Sequence, residues 1–177
     1  MEPETILIAG FSGRALAQSA RRAGFAPLVV DGFGDDDMRA AAAGAELQTE
    51  ILANGFTART LVTALDRLTA AAPSPPVGLV LAAGFEGVPE LVERLNSRYG
   101  ILGCSAATIR RAKDPLLLAS LLGERGIAHP ATCRDAPDDV GGWLTKRIGG
   151  TGGTHILPAR ARAGRGRYFQ REISGVA

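Results

Sequence analysis

The chain has 177 residues, of which 46% are hydrophobic and 21% are charged, and its formal net charge is +2. This composition is typical of a water-soluble folded protein with one core, or with one domain and part of another. It excludes a membrane-spanning helix, because no apolar run approaches the ~18 residues that such a helix needs. Two distant cysteines and two histidines also argue against a disulfide framework and a His/Cys metal cage. Because "MEPETILIAG" lacks the features of a signal peptide, we expect a cytoplasmic protein with no membrane partner.

Positive charge is concentrated toward one end of the chain. From residue 142 onward there is one acid, Glu172. The basic residues in the same stretch are Lys146, Arg147, Arg160, Arg162, Arg165, Arg167 and Arg171. This end is therefore expected to face anions, the alternatives being a solvated loop face or a nucleic-acid surface. Aromatic residues are sparse there, with Tyr168 and Phe169 close by, so we expect no nucleic-acid partner.

Strands and helices alternate over the first hundred residues. Short apolar runs ended by glycine or a turn predict strands at TILIAG (5–10), APLVVD (26–31), VGLVLAAG (77–84) and GILG (100–103). Helical spacing predicts helices over 14–24, around 36–43, around 57–71 and over 89–98. This alternation predicts an α/β domain with a parallel sheet and helices on both of its faces.

The pattern changes after Cys104, where we place a domain boundary. Two adjoining helices are predicted over 105–126, with Asp114 as N-cap, Pro115 as first helical residue and Gly126 as the end. The leucines of the second helix are expected to form a buried stripe: Leu116, Leu117, Leu118, Leu121 and Leu122. Antiparallel strands are then predicted at WLTKRI (143–148), THILPA (154–159) and RYFQREI (167–173).

The first of two glycine-bearing loops, GFSGRA (10–15), follows the first strand. Asp31 closes the second strand at about the distance where a dinucleotide-binding unit has its ribose-binding acid. Gly10, Ser12, Gly13 and Asp31 are therefore candidates for a substrate crevice at the carboxyl ends of the strands. The spacing is G-x-x-G rather than G-x-G-x-x-G, so the alternative is that Gly10 only turns the chain out of the sheet.

The second glycine loop, GGTGG (149–153), follows Lys146 and is not a Walker A motif. A lysine supplies a point charge for a phosphate, and consecutive glycine amides can form a nest for its oxygens. The pattern predicts a strand that delivers Lys146 and a mobile loop that closes over a phosphate. The alternative is a surface hairpin with an incidental lysine.

Four segments together resemble the ATP-grasp superfamily over nearly the whole chain. They are GFSGRALAQSARRAGFAPLVVDGFGDDD (10–37), RRAKDPLLLASLLGERGIAHP (110–130), WLTKRIGGTGGTHI (143–156) and RYFQREISG (167–175). The first is similar to the pre-ATP-grasp domain of predicted ATP-dependent carboligases related to biotin carboxylase. The resemblance implies a Rossmann-like pre-ATP-grasp domain over 1–104, followed by the start of an α+β ATP-grasp domain over 105–177. In the latter, 105–135 would be a helical linker and 136–177 a glycine-lid subdomain.

The resemblance also implies which residues bind ATP. Lys113 and Lys146 correspond to the two phosphate-binding lysines of the superfamily. The lid over the triphosphate would consist of Gly149, Gly150, Gly152 and Gly153. The adenine hinge would consist of Gln170, where many relatives carry an acid, together with the main-chain carbonyl of Arg171 and the main-chain amide of Ile173. Without the resemblance, Lys113 would be interpreted as a solvated residue near a helix start.

The reaction implied by the resemblance is ATP-dependent ligation. ATP activates a small carboxylate as an acyl phosphate, which an amine or a thiol then attacks; no catalytic residue is assigned here. The superfamily holds Mg²⁺ with acidic residues and an asparagine that follow the hinge, so we expect the Mg²⁺ ligands outside this chain. The chain would then be the N-terminal part of a longer enzyme or one half of a split one, inactive alone. Its expected partner is a second copy or a complementary C-terminal half.

Two other functions remain open from the sequence. One is a non-catalytic nucleotide-binding or regulatory module that uses either glycine loop. The other is a nicotinamide-dependent oxidoreductase with Asp31 at the ribose, although its glycine fingerprint is broken and the second loop stays unexplained.

Overall fold

A computed structural model of the chain describes residues 3–150, 152–160 and 164–175. It divides between Ala106 and Ala107 into two compact units. The elements of the first unit are β1 (Thr5–Ala9), α1 (Arg14–Arg22), β2 (Ala26–Asp31), α2 (Asp36–Ala41), β3 (Gly44–Leu47), α3 (Ile51–Asn54), α4 (Ala58–Ala71), β4 (Leu79–Leu81) and α5 (Pro89–Tyr99). They are followed by α6 (Ala106–Lys113), α7 (Pro115–Glu124), β5 (Thr132–Cys133), β6 (Trp143–Arg147), β7 (Leu157–Pro158) and β8 (Arg167–Arg171).

The first unit is built on a four-stranded parallel sheet in the order β3-β2-β1-β4. Every residue of β1 is buried, as are five of the six residues of β2. Because a strand points alternate side chains to opposite faces, burial along its whole length requires cover on both faces. The prediction of a parallel α/β domain is confirmed.

Helices provide this cover on the two faces. Ile8 and Val29 lie opposite each other in the register of β1 and β2 and belong to one buried cluster with Ala17 of α1 and Met38 of α2. The other face carries Leu28, which lies with Leu68 of α4 around the space above Gly44. Burying each large aliphatic side chain contributes about 1.5–3 kcal/mol to stability. Because successive apolar side chains of these strands point to opposite faces, both faces of the sheet gain this energy when helices cover them.

Two parts of the first unit differ from the sequence-based prediction. β3 and the short α3 were not predicted, because the segment AAAGAEL favours a helix by local propensity. Pairing with β2 makes 44–47 an edge strand instead. Conversely, the strand predicted at 100–103 is only a single bridge between Leu79 and Ile101. Gly100 has a φ of +67°, which turns the chain instead of extending it.

The second unit contains a four-stranded antiparallel sheet in the order β5-β8-β6-β7. Its register pairs Leu144 with Gln170 and Thr145 with Phe169. Thr145 and Phe169 are buried, whereas Gln170 lies on the opposite face, which is half-open. The antiparallel strands predicted at 143–148 and 167–173 are confirmed with slightly shorter bounds, whereas the one predicted at 154–159 is reduced to the two residues of β7. β5 is an additional short strand that the sequence did not indicate.

The junction between α6 and α7 follows the predicted capping pattern. The Asp114 carboxylate accepts hydrogen bonds from the amides of Leu116 and Leu117 at 2.9 and 3.1 Å. The prediction of a buried leucine stripe is wrong, however: no residue of α7 is buried, and Leu117 is 54% exposed. The small sheet of this unit contacts one side of α7 only, and Leu118 and Leu122 line an open cavity there instead of a packed core. None of the helices in the described ranges is long and apolar enough to cross a membrane.

Candidate functional site

A cavity of about 360 Å³ opens within the second unit, where α6 and α7 face the antiparallel sheet. Its described lining residues are Ala112, Lys113, Pro115, Leu118, Ala119, Leu122, His129, Pro130, Thr132, Arg147, Gly149, Gly150, Tyr168 and Gln170. Apolar side chains of α7 form one wall. None of the described residues that line the cavity is an aspartate or a glutamate, whereas Lys113 and Arg147 are positively charged. This combination suits an anionic ligand that also carries an apolar group.

Both lysines of the chain belong to this site. Lys113 is the last residue of α6 and lines the cavity directly. Lys146 lies on β6, where its Nζ donates a hydrogen bond to Oε1 of Gln170 at 2.6 Å, and Gln170 lines the cavity. One lysine thus lines the cavity and the other is bonded to a residue that lines it, although the two lysines are 33 positions apart in sequence.

The glycine loop meets the cavity at its first two glycines. Gly149 has a φ of +71°, which favours glycine, and the amide of Gly150 closes a turn on the carbonyl of Arg147 at 3.1 Å. A Cβ on Gly150 would lie 2.5 Å from Nε2 of His155, so the imidazole ring occupies the space that a side chain would need. One of the amides expected to form a phosphate nest is therefore engaged inside the loop.

The other two predicted loop glycines lie further along. Gly152 and Gly153 have φ values of +72° and +79° and are not among the described residues that line the cavity. Thr151, between Gly150 and Gly152 in the sequence, and Arg162 of the basic stretch are outside the described residues. The structure thus brings Gly149 and Gly150 to the lysines and leaves the role of the remaining glycines a prediction.

The predicted hinge residues occupy the end of β8. The Arg171 guanidinium points away from the cavity residues, donating to the carbonyl of Gly141 at 2.9 Å and lying 5.9 Å from the ring centroid of Trp143. Its main-chain N–H donates to the carbonyl of Ala131 at 2.8 Å. Ile173, two residues later, has a side chain that is 67% exposed. These positions are compatible with a role through the main chain, which stays a prediction.

Three polar residues of the cavity were missed in the sequence. Tyr168 shares a face with Gln170 because the two are separated by two positions on β8, a signal that the strand prediction already contained. Burial raises the pKa of the Tyr168 hydroxyl above its usual value. Thr132 is paired with Gln170 across β5 and β8. His129 lies two residues after Ile127 and has its Nδ1 3.0 Å from the Ile127 carbonyl, which makes Nδ1 the proton-bearing nitrogen when the ring is neutral. Nothing in the local sequence marks Thr132 or His129.

The predicted crevice of the first unit has a different character, because the carboxylate of Asp31 is bonded within the fold, and its ligand role stays a prediction. Asp31 is 1% exposed. One carboxylate oxygen accepts from the amide of Gly13 at 2.6 Å, and the other accepts from the amides of Phe33 and Gly34 at 2.7 and 2.6 Å. Both oxygens are thus used to join the loop after β1 to the loop after β2. Asp31 has a structural role.

The glycines near Asp31 are explained by packing. A Cβ on Gly10 would lie 2.4 Å from Cβ of Ala82, and one on Gly13 would lie 2.5 Å from Cγ1 of Val29. Both positions therefore require glycine for close approach, whether or not a ligand binds. Ser12 is partly exposed, and its assignment to a crevice stays a prediction.

A metal site would need several oxygen, nitrogen or sulfur ligands in one place. The described ranges contain no group of three or more His, Cys, Asp or Glu side chains that could hold a metal ion. Mg²⁺ therefore has no ligand set of this kind among them.

Comparisons with solved structures identify the class of fold to which this arrangement belongs. N5-carboxyaminoimidazole synthetase from Staphylococcus aureus, complexed with ADP, has a TM-score of 0.63 and 17% identity, with 98% of this chain and 48% of that chain covered. The corresponding synthase from Aspergillus clavatus, in complex with ADP and 5-aminoimidazole ribonucleotide, has a TM-score of 0.64 and 14% identity, with coverage of 96% and 46%. Phosphoribosylamine–glycine ligase from Thermotoga maritima has a TM-score of 0.56 and 13% identity, with coverage of 96% and 44%.

The chain therefore has the fold of the N-terminal half of ATP-grasp enzymes, which confirms the predicted fold class and the resemblance. It spans about half the length of the enzymes that it matches. No protein-family model matches the sequence, and no curated protein matches it. At these identities the similarity shows the fold alone.

Proposed function

We propose that this chain binds ATP in the cavity of its second unit, as the nucleotide-binding part of an ATP-dependent ligase that joins a small carboxylate to an amine or a thiol. The observation that carries the proposal is that Lys113 lines the cavity and Lys146 is hydrogen-bonded to Gln170, which also lines it, while the described lining has no acid. A site for a triphosphate needs such an excess of positive charge near a low-dielectric wall.

Each part of the cavity has a role in this proposal. Lys113 and Lys146 attract the phosphates, because an ammonium group is a compact point charge with three donors. The apolar wall of α7, with Leu118 and Leu122, accepts the base and excludes water from it. Gln170 orients Lys146 and offers its amide to the nucleoside.

The glycine loop adds a closing element to the same site. Gly149 and Gly150 line the cavity without side chains of their own, so the loop can approach phosphate oxygens closely once the Gly150 amide leaves the Arg147 carbonyl. Closure would exclude water from the phosphates, which matters because water competes with the intended acceptor. The predicted lid function thus includes Gly149, Gly150, Gly152 and Gly153, the last two reaching the ligand on closure.

The nucleotide itself would supply phosphoryl transfer to a carboxylate, which makes that carboxylate reactive toward the amine or thiol. Support comes from the matched structures: the Staphylococcus aureus and Aspergillus clavatus proteins were solved with ADP, and the Thermotoga maritima protein is named as a ligase of an amine and glycine. The resemblance implies that the protein ligands of Mg²⁺ come from a part of the enzyme that follows the hinge, and the proposal keeps that assignment.

A nicotinamide cofactor in the first unit fits the structure less well. That function would need a free acid at the end of β2, but both oxygens of Asp31 are bonded to main-chain amides. We therefore expect ATP to bind and NADH not to bind.

The presence of only two lysines permits a direct test. Reductive methylation of the chain labels Lys113, Lys146 and the N-terminal amine, and mass spectrometry of peptides measures each rate separately. We expect ATP to slow labelling of both lysines several-fold and to leave the N-terminal amine unaffected, which makes that amine an internal control. NADH at the same concentration should protect neither lysine. Equal labelling of the lysines with and without ATP would contradict the proposal.

A further inference from the structure

The bonds around Gln170 have a direction that can be followed atom by atom. An ammonium group only donates, so Oε1 of Gln170 is the acceptor of the 2.6 Å hydrogen bond from Lys146. The amide nitrogen of Gln170 then donates to Oγ1 of Thr132 at 3.2 Å. The Thr132 hydroxyl in turn donates to the carbonyl of Pro130 at 3.0 Å.

This chain of bonds, which we call the amide relay, permits only one orientation of the Gln170 side chain. Rotating the amide by 180° would place its NH₂ group against the ammonium of Lys146, where two donors would face each other. It would also turn Oε1 toward Thr132 and require the Thr132 hydroxyl to abandon the Pro130 carbonyl. Thr132 and Lys146 therefore fix Gln170 from opposite ends of its amide.

The location of the relay links it to the ligand site. Thr132 and Gln170 both line the cavity, and they are direct partners across β5 and β8. Since Gln170 is neutral, the bond holds the position of Lys146 without placing a negative charge beside it. Groups that are fixed before a ligand arrives lose less conformational freedom on binding.

We propose that Thr132 is a positioning residue of the nucleotide site: it acts through the Gln170 amide to hold Lys146 ready for phosphate. This inference rests on the proposed function, because it assigns the use of the relay to ATP binding. Thr132 need not touch the nucleotide itself. Its hydroxyl is the feature that matters, since a valine of nearly the same shape lacks the acceptor for Gln170.

The test is a double-mutant cycle with ATP as the ligand, measured by calorimetry on the full chain. Thr132→Val should weaken ATP binding by roughly two- to tenfold, the effect of one lost hydrogen bond. Thr132→Ser, which keeps the hydroxyl, should restore most of the loss. In a Gln170→Leu background, Thr132→Val should have no further effect, because the group through which Thr132 acts is gone.

The results separate the relay from a general structural role. If Thr132→Val costs the same in the Gln170→Leu background as in the wild type, or if it costs nothing in the wild type, the relay is overturned. Near-ultraviolet circular dichroism shows whether each variant is folded. If Thr132→Val does not fold, Thr132→Ala enters the same cycle with the same expected outcomes.

A second measurement separates failure of the relay from failure of the proposed function. Side-chain NH₂ resonances of Gln170 can be observed by ¹⁵N NMR without any nucleotide. The relay predicts slow solvent exchange of these protons in the wild type and in Thr132→Ser, and faster exchange in Thr132→Val. If the wild type binds no ATP, the proposed function and the assignment to ATP both fail. Equal exchange in all three proteins would show that the bonds themselves do not restrain Gln170.

Discussion

The two glycine loops of this protein look alike in sequence but differ in what their polar groups are bonded to. In the first unit, Gly10 and Gly13 are glycines because a Cβ would clash with Ala82 or Val29, and the nearby acid is fully occupied by main-chain amides. In the second unit, the loop at Gly149 and Gly150 lies at an open cavity together with a lysine.

This difference shows that a glycine loop after a strand is not by itself a sign of a ligand. A glycine can be required for close packing of neighbouring atoms or for close approach to a phosphate, and the sequence is the same in both cases. The two loops differ in whether the fold leaves a nearby charged side chain accessible to a ligand. Asp31 is 1% exposed with three internal donors, whereas Lys113 lines the cavity.

The largest expected effect comes from removing the acid of the first loop. Asp31→Ala leaves one buried amide and two partly buried amides without an acceptor. It should lower the free energy of unfolding by about 3–5 kcal/mol, because hydrogen bonds to a buried charge are costly to lose. Urea unfolding measures this change. Asp36→Ala, an exposed acid in the first turn of α2, is the control and should stay within about 0.5 kcal/mol of the wild type. A loss below about 1 kcal/mol for Asp31→Ala would show that the carboxylate does not stabilise the two loops that it joins, and the contrast drawn between the two glycine loops would fail.

The second expected effect concerns the lysine of the second loop. Lys146→Ala should weaken ATP binding by about 10- to 100-fold, since one charge-assisted contact is worth about 1.5–3 kcal/mol, with little change in stability. Calorimetric titration with ATP measures the affinity. Arg125→Ala removes a positive charge from the same unit outside the described cavity lining and should change the affinity by less than about twofold. Equal effects of the two substitutions would mean that net charge, not this site, attracts the nucleotide.

A smaller effect is expected from filling the space beside Gly150. Gly150→Ala places a methyl group within about 2.5–2.7 Å of three ring atoms of His155, so either the loop or the ring must move. We expect ATP affinity to fall about three- to tenfold, in the range of a modest packing strain. The double variant Gly150→Ala with His155→Ala should recover most of this loss. No recovery would indicate that the amide conformation of Gly150, not the space above it, limits binding.

The smallest effect is a pH dependence of the free energy of unfolding of the first unit. It comes from Tyr99, whose hydroxyl, like the Asp31 carboxylate, is hydrogen-bonded within the fold. Burial and the hydrogen bond to Asp66 at 2.7 Å raise the pKa of Tyr99 from 10.0 to about 12. Below pH 10 the Tyr99 hydroxyl keeps its proton in both the folded and the unfolded state, and its hydrogen bond to Asp66 contributes fully to the free energy of unfolding. Between pH 10 and about 12 the unfolded state loses its proton first, so the free energy of unfolding should fall as the pH rises.

Urea unfolding across this pH range tests the effect against Tyr99→Phe, which should show a shallower decline because it has no phenol to titrate. Tyr168 also has a raised pKa and titrates in both proteins, so only the difference between them reports on Tyr99. If the free energy of unfolding falls equally with pH in the wild type and in Tyr99→Phe, the hydrogen bond between Tyr99 and Asp66 does not persist in solution.

Much of the fold could be predicted because its signals are local. Continuous apolar runs marked β1 and β2, and Asp114 with Pro115 marked the start of α7. What failed was decided by neighbours distant in sequence. Residues 44–47, which follow a run of alanines, form a strand only because β2 lies beside them. The leucines of α7 are not buried because this small unit covers only one side of them.

The candidate site was predicted less completely for the same reason. Lys146 and the loop glycines were named from their pattern, and Lys113 and Gln170 from the family resemblance. Lys113, Gly149, Gly150 and Gln170 line one cavity, and Lys146 is bonded to Gln170, while their role in binding ATP stays a prediction. The sequence had no means of showing that the Asp31 carboxylate is consumed by main-chain amides, or that a two-residue strand carries Thr132 to Gln170.

The sequence by itself determined the strand–helix alternation of the first unit apart from β3 and α3, the two positions of glycine-rich main chain and the placement of positive charge. These features depend on neighbouring residues and on the periodicity of apolar residues, and both can be obtained from the sequence alone. The tertiary structure alone decided which charged and polar groups remain available for a ligand. Availability depends on partners brought together from 18 to 38 positions away, and only folding brings them within hydrogen-bonding distance.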